Sequence, residues 1–341
     1  MNFYVRLALG LAAVLGAGIA FTFEYPPITV EQRGYRGLAI EQNHTDKGLA
    51  TLAANNVVPA AADPQEPSGI KSSKAYENVK VLGDLDSNEF LRLMTSITEW
   101  VAPQEGCTYC HSEENLADDT KYTKIVARRM LQMTAHINAT WQPHVAQTGV
   151  TCYTCHRGRG VPANVWSAEP PQAGPTFAGN RAGQNAPSSI AANASLPHNI
   201  FMSYLDKAVD IKVQGTQALP AGNRNTIMGA EHTYGLMMHF SNALGVNCTY
   251  CHNSRAFANW SQSSPQRVTA WHGIRMARDL NTAYMEPLAS VFPDNRKGPM
   301  GDVKKVNCAT CHQGAYKPLL GVSMLKDYPE LGPGGPIKAT P

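Results

Sequence analysis

HVAQTGVTCYTCH, residues 144–156, ends in a pentapeptide whose reading governs the whole chain. Cys152, Cys155 and His156 form a C-x-x-C-H unit. Two cysteines at this spacing present their sulfurs to the two vinyl groups of one haem, and the adjoining histidine reaches the iron from one face. The unit recurs at residues 107–111, 248–252 and 308–312, and the four copies use all eight cysteines. Disulfides or zinc ligation would explain paired cysteines, but not a histidine after every second one. The expectation is four covalently bound haem c groups. Cys107 and Cys110, Cys152 and Cys155, Cys248 and Cys251, and Cys308 and Cys311 hold them. His111, His156, His252 and His312 each bind one iron.

Composition bounds the setting. The chain has 341 residues, enough for one large domain or two modest ones. Charged residues are 16% and the net charge is +3, so no polyanionic partner is implied. Haem attachment to this motif takes place on the periplasmic side of bacterial membranes, which argues against a cytosolic protein. The run LALGLAAVLGAGIAFTF, residues 7–23, carries no charge. It is close to the lower length limit for a membrane span. Small residues around Gly18 and Ala20 would also suit a cleaved secretory signal. Arg6 on the short side orients that side to the cytoplasm. A retained anchor over residues 1–23 is expected. No cysteine near its end offers lipid attachment.

Working outward, Pro, Ala, Gly and Asn dominate the segment that opens residues 24–85, which reads as an extended lead-in. Residues 161–197 read as a connector, and 321–341 as a C-terminal tail. Two halves remain, 86–160 and 198–320, each with two haem units. The first unit of each half reads C-T-Y-C-H. The second reads C-x-T-C-H followed by Arg-Gly or Gln-Gly. Such an internal repeat predicts an approximate two-fold relation between the halves. Between the units the pattern is helical. Residues 86–100 have a capping signal at Asp86 and Ser87 and apolar residues at Phe90, Leu93, Met94 and Ile97. Residues 121–138, 226–244 and 266–285 are similar. No alternating strand stands out. The predicted fold is mainly α, with two pseudo-two-fold haem-pair halves, long loops and one N-terminal transmembrane helix.

Each iron needs a sixth ligand or an open position. Met94 and Met237 occupy matching places before the first units of the two halves. Met130 lies ahead of the second unit. Met133 and Met238 are the neighbours that compete. A methionine on an apolar helical face is ordinarily core, but matching placement in a repeat favours ligation. The fourth unit breaks the pattern. Aligning IVARRMLQMTAHIN (125–138) with VTAWHGIRMARDLN (268–281) sets Ala127 on Ala270, Met133 on Met276 and Asn138 on Asn281. Met130 then falls on Gly273, which has no side chain to offer. His144, Met276 and Met285 are open alternatives for that haem, and His144 also reads as a solvent-facing loop residue.

The stretches EWVAPQEGCTYCH, VARRMLQMT, LGVNCTYCHN, PQRVTAWHGIRMARDLN and CATCHQG resemble the tetrahaem cytochrome c subunits of purple-bacterial photosynthetic reaction centres. The resemblance runs from about Glu24 to the C-terminus, outside the connector. It implies three Met/His haems, pairing Met94 with His111, Met130 with His156 and Met237 with His252. It implies one bis-His haem, pairing His144 with His312. It further implies an electron carrier, not an enzyme, on the periplasmic face of the photosynthetic membrane. The carrier would re-reduce the bacteriochlorophyll special pair held by the L and M subunits. Its electrons would come from a soluble cytochrome c or high-potential iron–sulfur protein. Many members carry a lipid-modified cysteine after the signal peptide; this chain does not, and a retained helix takes its place.

Charges suggest two refinements. Arg267, with Arg275 and Arg278 on the same predicted helix, is the candidate for raising the potential of the third haem; a solvated helix face is the alternative. Glu99, Glu105, Glu113, Glu114, Asp118 and Asp119 surround the first unit and would steer a basic donor. Competing readings are a membrane-anchored tetrahaem quinol dehydrogenase and a multihaem enzyme with an open iron.

Overall fold

A computed structural model describes residues 2–23, 28–170, 189–192, 194, 196–197, 199–211 and 226–338. Most of the connector predicted over 161–197 and the last residues of the tail lie outside these. Ten α-helices run in chain order among the described residues: α1 Phe3–Ala20, α2 Asp46–Asn55, α3 Ser72–Ala75, α4 Ser87–Val101, α5 Tyr122–Thr140, α6 Gln142–Val145, α7 Cys152–His156, α8 Ile227–Leu244, α9 Pro265–Asp279 and α10 Cys308–His312. The protein is mainly helical, as the periodicity predicts.

The four long helices match the sequence pattern. Asp86 caps α4 by accepting the Asn88 amide at 2.9 Å and also accepts the Gly69 amide. Thr226 caps α8 through the Gly229 amide. Gly245, in the left-handed region at φ 63°, ends α8. Helix α9 continues into a wider π-helical turn, Leu280–Met285, which places Asn281 at the bottom of the core.

α1 stands apart. None of it is buried, and its mean hydropathy is 1.8. Its 18 residues at about 1.5 Å each reach roughly 27 Å, close to the ~30 Å of a bilayer core. This suits membrane anchoring.

The lead-in is not uniformly extended, as the sequence suggested. Strands β1 Ile28–Gln32 and β2 Glu41–Thr45 pair antiparallel, Ile28 opposite Thr45 and Gln32 opposite Glu41. The hairpin docks on the third haem unit. The Ile40 amide donates to Thr249 Oγ1 at 3.0 Å, Asn247 Nδ2 donates to Ile40 O, and Gln42 Nε2 donates to Gly245 O. Gly34, at φ 140°, passes so close that a Cβ would lie 2.4 Å from Thr249 O, so only glycine fits there.

Three apolar clusters hold the rest. The first joins α4 and α5 through Leu93, Trp100, Leu131 and Ala135, and is completed by Met324, Tyr328, Leu331 and Ile337 from the C-terminal segment. Tyr328 meets Trp100 edge-on, and its hydroxyl bonds Ser96 Oγ. The second cluster unites Trp166, Phe201 and Tyr204 with Leu236, Ile274 and Ala277. The third, Ile137, Leu280 and Tyr284, lies where α5 meets the π turn.

Candidate haem-binding site

A continuous cavity of about 2070 Å³ runs through the protein. A single small-molecule cofactor occupies roughly 300–1,000 Å³, so this space suits several. All eight cysteines, the four motif histidines, Met94, Met130, Met237 and His144 line it. Met133, Met276 and Met285 also reach the wall, whereas Met238 does not. The cavity therefore separates Met237 from its neighbour but leaves Met130 beside Met133.

The four motifs fold in two ways. The first and third are short 3₁₀ turns, Gly106–Tyr109 and Cys248–Tyr250. The second and fourth are the one-turn helices α7 and α10, each opened by a reciprocal capping box, Thr151 with Thr154 and Asn307 with Thr310. The histidines follow the same alternation. His111 and His252 donate Nδ1–H to carbonyls five residues on, Leu116 O at 2.8 Å and Phe257 O at 2.9 Å. His156 and His312 donate to carbonyls three residues on, Arg159 O at 2.8 Å and Ala315 O at 2.9 Å. A carbonyl can only accept, so each ring keeps its proton on Nδ1 and leaves Nε2 free as an iron ligand.

His144 shares this arrangement. Its Nδ1 donates to Thr269 O at 2.9 Å, across from α6 to α9. The ring lies on Gly273, where a Cβ would meet His144 Cε1 at 2.6 Å. Gly273 therefore does more than lack a ligand: it makes the space that the imidazole fills. The His144 and His312 ring centroids are 6.1 Å apart. Burial pushes the His312 pKa down to about 4, and also lowers His144, His156 and His252. All four are thus neutral at physiological pH, the form that binds iron.

The sulfurs are also in an apolar setting. Burial raises the Cys110, Cys152 and Cys251 thiols to about 11 and Cys308 to about 12. Uncharged sulfur suits these walls, as a thioether would. The second cysteines of two units also meet each other. Cys155 and Cys311, both expected to hold haem, are joined here as a disulfide with Cα atoms 4.3 Å apart, while the other six cysteines are free. A disulfide sulfur has no valence left for a vinyl group. The physical reason is packing: α7 lies against α10, so the second cysteine of each unit meets its counterpart.

Several positioning residues escaped the sequence reading. Asn138 and Asn281, both fully buried, clamp the chain two residues ahead of the second and fourth units. Asn138 bonds Val150 through both its amide N–H and its carbonyl, and also Leu331 O. Asn281 does the same to Val306, and also bonds Leu205 O. The sequence signal was present, because the repeat aligns these two asparagines. Across the halves, His136 Nε2 meets Asp279 Oδ2 at 2.6 Å, and Trp141 donates to the same oxygen.

The acidic patch is smaller than its composition suggests. Asp119 is bound by Arg128 at 2.9 Å, Lys80 at 2.7 Å and Lys124 at 3.4 Å. Its hydrogen bonds to these cations, Arg128 foremost, hold its carboxyl well below the usual carboxylate range. Asp118 is half-buried, while Glu99, Glu105, Glu113 and Glu114 are exposed. Arg267 stacks 4.0 Å over Trp260 and donates to Ser263 Oγ at 2.6 Å, lining the cavity near Cys251.

A family profile described as the photosynthetic reaction centre cytochrome C subunit matches residues 24–332. A photosynthetic reaction center cytochrome c subunit from Rubrivivax gelatinosus is 51% identical over 335 residues, covering 98% of this chain and 91% of the relative. One from Thermochromatium tepidum is 45% identical over 328 residues, covering 96% and 80%. One from Roseobacter denitrificans is 45% identical over 268 residues, covering 75% and 72%.

Proposed function

The chain belongs to the photosynthetic reaction centre cytochrome c subunits, an electron-transfer family, and on that premise we propose how its own residues serve that transfer. Haem, when bound, supplies one-electron exchange at its iron. Everything else is anchoring, ligation and tuning by the protein.

In this reading each C-x-x-C-H unit anchors one haem, four in all, and every iron is six-coordinate. Met94, Met130 and Met237 would complete the sites of His111, His156 and His252. His144 would complete that of His312. The separation of the last pair supports this. The two ring centroids are 6.1 Å apart, close enough for His144 and His312 to hold one iron between them if it were bound. Cys155 and Cys311 are thioethers in the loaded protein, so haem attachment and the disulfide are mutually exclusive. A thioether ligand favours ferrous iron relative to a second imidazole, so the Met/His sites would have the higher potentials. Arg267, bonded to no carboxylate among the described residues, would raise the third site further.

The halves would be related by a pseudo-two-fold axis. The paired asparagine clamps and the alternating motif folds support it. The motif neighbourhoods touch in the order first, second, fourth, third, through α4 on α7, α7 on α10 and α10 on α8. The hairpin ties the third unit close to α1: residues 21–27 span at most about 25 Å when fully extended. The third unit would therefore face the membrane, on its periplasmic side, and the L and M subunits. A soluble donor, a cytochrome c or a high-potential iron–sulfur protein, would dock beside the first unit at Glu113, Glu114 and Asp118, with Asp119 neutralised by its own cations. Reversing Glu113 and Glu114 to Lys should slow re-reduction by a basic donor at low salt; an unchanged rate would move the docking site elsewhere.

The observation that carries the reading is that all sixteen proposed haem-holding side chains line one cavity. The experiment is a redox titration of the purified protein together with flash-induced oxidation in membranes. Four one-electron components, at least one oxidised by a flash, are expected. Fewer components, or none that responds to light, would overturn it.

A further inference from the structure

Arg157 and Gln313 occupy the same position in two copies of one motif. Each follows the histidine of its unit, and each adopts the left-handed conformation, φ 49° ψ 45° and φ 48° ψ 45°. Each side chain bonds back to its own helix, Arg157 Nε to Thr154 O at 3.2 Å and Gln313 Nε2 to Thr310 O at 3.2 Å. Each then crosses to the other half and donates to the carbonyl of that unit's second cysteine. Arg157 Nη2 reaches Cys311 O at 3.3 Å, and Gln313 Nε2 reaches Cys155 O at 3.4 Å. The contact is reciprocal, as a two-fold relation requires. Arg157 differs in its charge and in its further bonds to the lead-in segment.

That charge is held by neutral oxygens. The remaining Arg157 bonds go to Asn55 O and Asn56 Oδ1. No carboxylate pairs with it among the described residues, and the side chain is half-buried. Taking an unpaired guanidinium out of water costs stability. Gln313 demonstrates that a neutral residue makes the same two links in the same protein. The links between the halves therefore do not themselves require a cation, while Arg157 alone adds bonds to Asn55 and Asn56.

We propose that Arg157 sets the redox potential of the haem on the fourth unit, acting from across the interface between the halves. Its guanidinium spans from Thr154 O of its own unit to the backbone of Cys311, next in sequence to the fourth unit's own histidine. A fixed positive charge there disfavours the ferric state, which carries one more positive charge than the ferrous. It raises the potential of a site whose two imidazoles otherwise lower it. Gln313 supplies no such charge to the second unit. The proposal rests on the haem reading above.

The test is a spectroelectrochemical titration of the full-length, haem-loaded protein, comparing wild type with Arg157→Gln, Arg157→Lys and Gln313→Arg. Arg157→Gln installs the residue already tolerated at the counterpart position, and thermal unfolding and haem content check that it folds. It should lower the potential of one component, while Arg157→Lys keeps that component near wild type. Gln313→Arg should raise a different one. His144→Met, titrated alongside, identifies the fourth site as the single component it raises. The proposal is overturned if Arg157→Gln leaves all four components in place. It is overturned equally if Lys and Gln shift the component alike, or if the component that falls is not the one raised by His144→Met. A count below four haems would instead break the underlying assignment, which the haem content reads separately.

Discussion

Asn138 and Asn281 do the same work in the two halves. Ser96 and His239, Met130 and Gly273, and Arg157 and Gln313 occupy equivalent positions and do different work. The first three pairs are each 143 positions apart in the chain. The clamps are duplicated because both halves must hold a loop just ahead of a haem unit. The unlike pairs differ in charge, in proton affinity or in the space they leave, and these are the properties that would separate one proposed haem site from another. In that proposal the scaffold is the repeated element, and single side chains upon it individualise the sites.

The clamps give the strongest way to test that division. Asn138→Ala removes three hydrogen bonds in a fully buried site. At about 1–3 kcal/mol for each buried partner left unsatisfied, the loss is roughly 3 kcal/mol or more, and Asn281→Ala should match it. Denaturant unfolding would measure both; a mild effect at either position breaks the equivalence.

A smaller effect should separate Ser96 from His239. Burial pushes His239 down to about 4, and its Nε2 has no hydrogen-bond partner among the described residues. Its unfolded value is near 6.5. Between these values the unfolded chain binds the extra proton, so stability rises with pH. The contribution is complete above about pH 6.5 and is lost as pH falls towards 4, at most about 3 kcal/mol in all. Comparing unfolding of wild type and His239→Ser from pH 4 to 7 isolates it. A variant with the wild-type pH slope would sink the claim.

Gly273→Ala should cost least, about 1–3 kcal/mol of overpacking, because the new Cβ would meet the His144 ring. Its sharper readout is spectroscopic: one haem signal should change and three should stay. A change spread over all four would mean that Gly273 serves the fold and not the one site.

Much of this was legible because local signals carried it. The α4 start at Asp86 is a capping residue ahead of an apolar stripe. The haem units are contiguous, and Gly273 was visible as a gap in an alignment. What was hidden depends on partners distant in sequence. The β1–β2 hairpin is short and polar at its edges, and its docking bonds go to residues 245–254. Asp119 looked like a free surface charge because its three cations, Lys80, Lys124 and Arg128, converge only in the fold, Lys80 from 39 positions away. The neighbourhood of Arg157 is written in Asn55, Asn56 and Cys311, which no window of sequence contains together.

The C-terminal segment has a consequence for how the protein is made. Tyr328, Leu331 and Ile337 complete the core around Trp100 in the first half, so that core lacks its last wall until almost the whole chain has left the ribosome. The first two C-x-x-C-H units are encoded early, but the core beside them is closed late. A chain stopped short of residue 324 would leave Leu93 and Trp100 without the C-terminal wall that covers them.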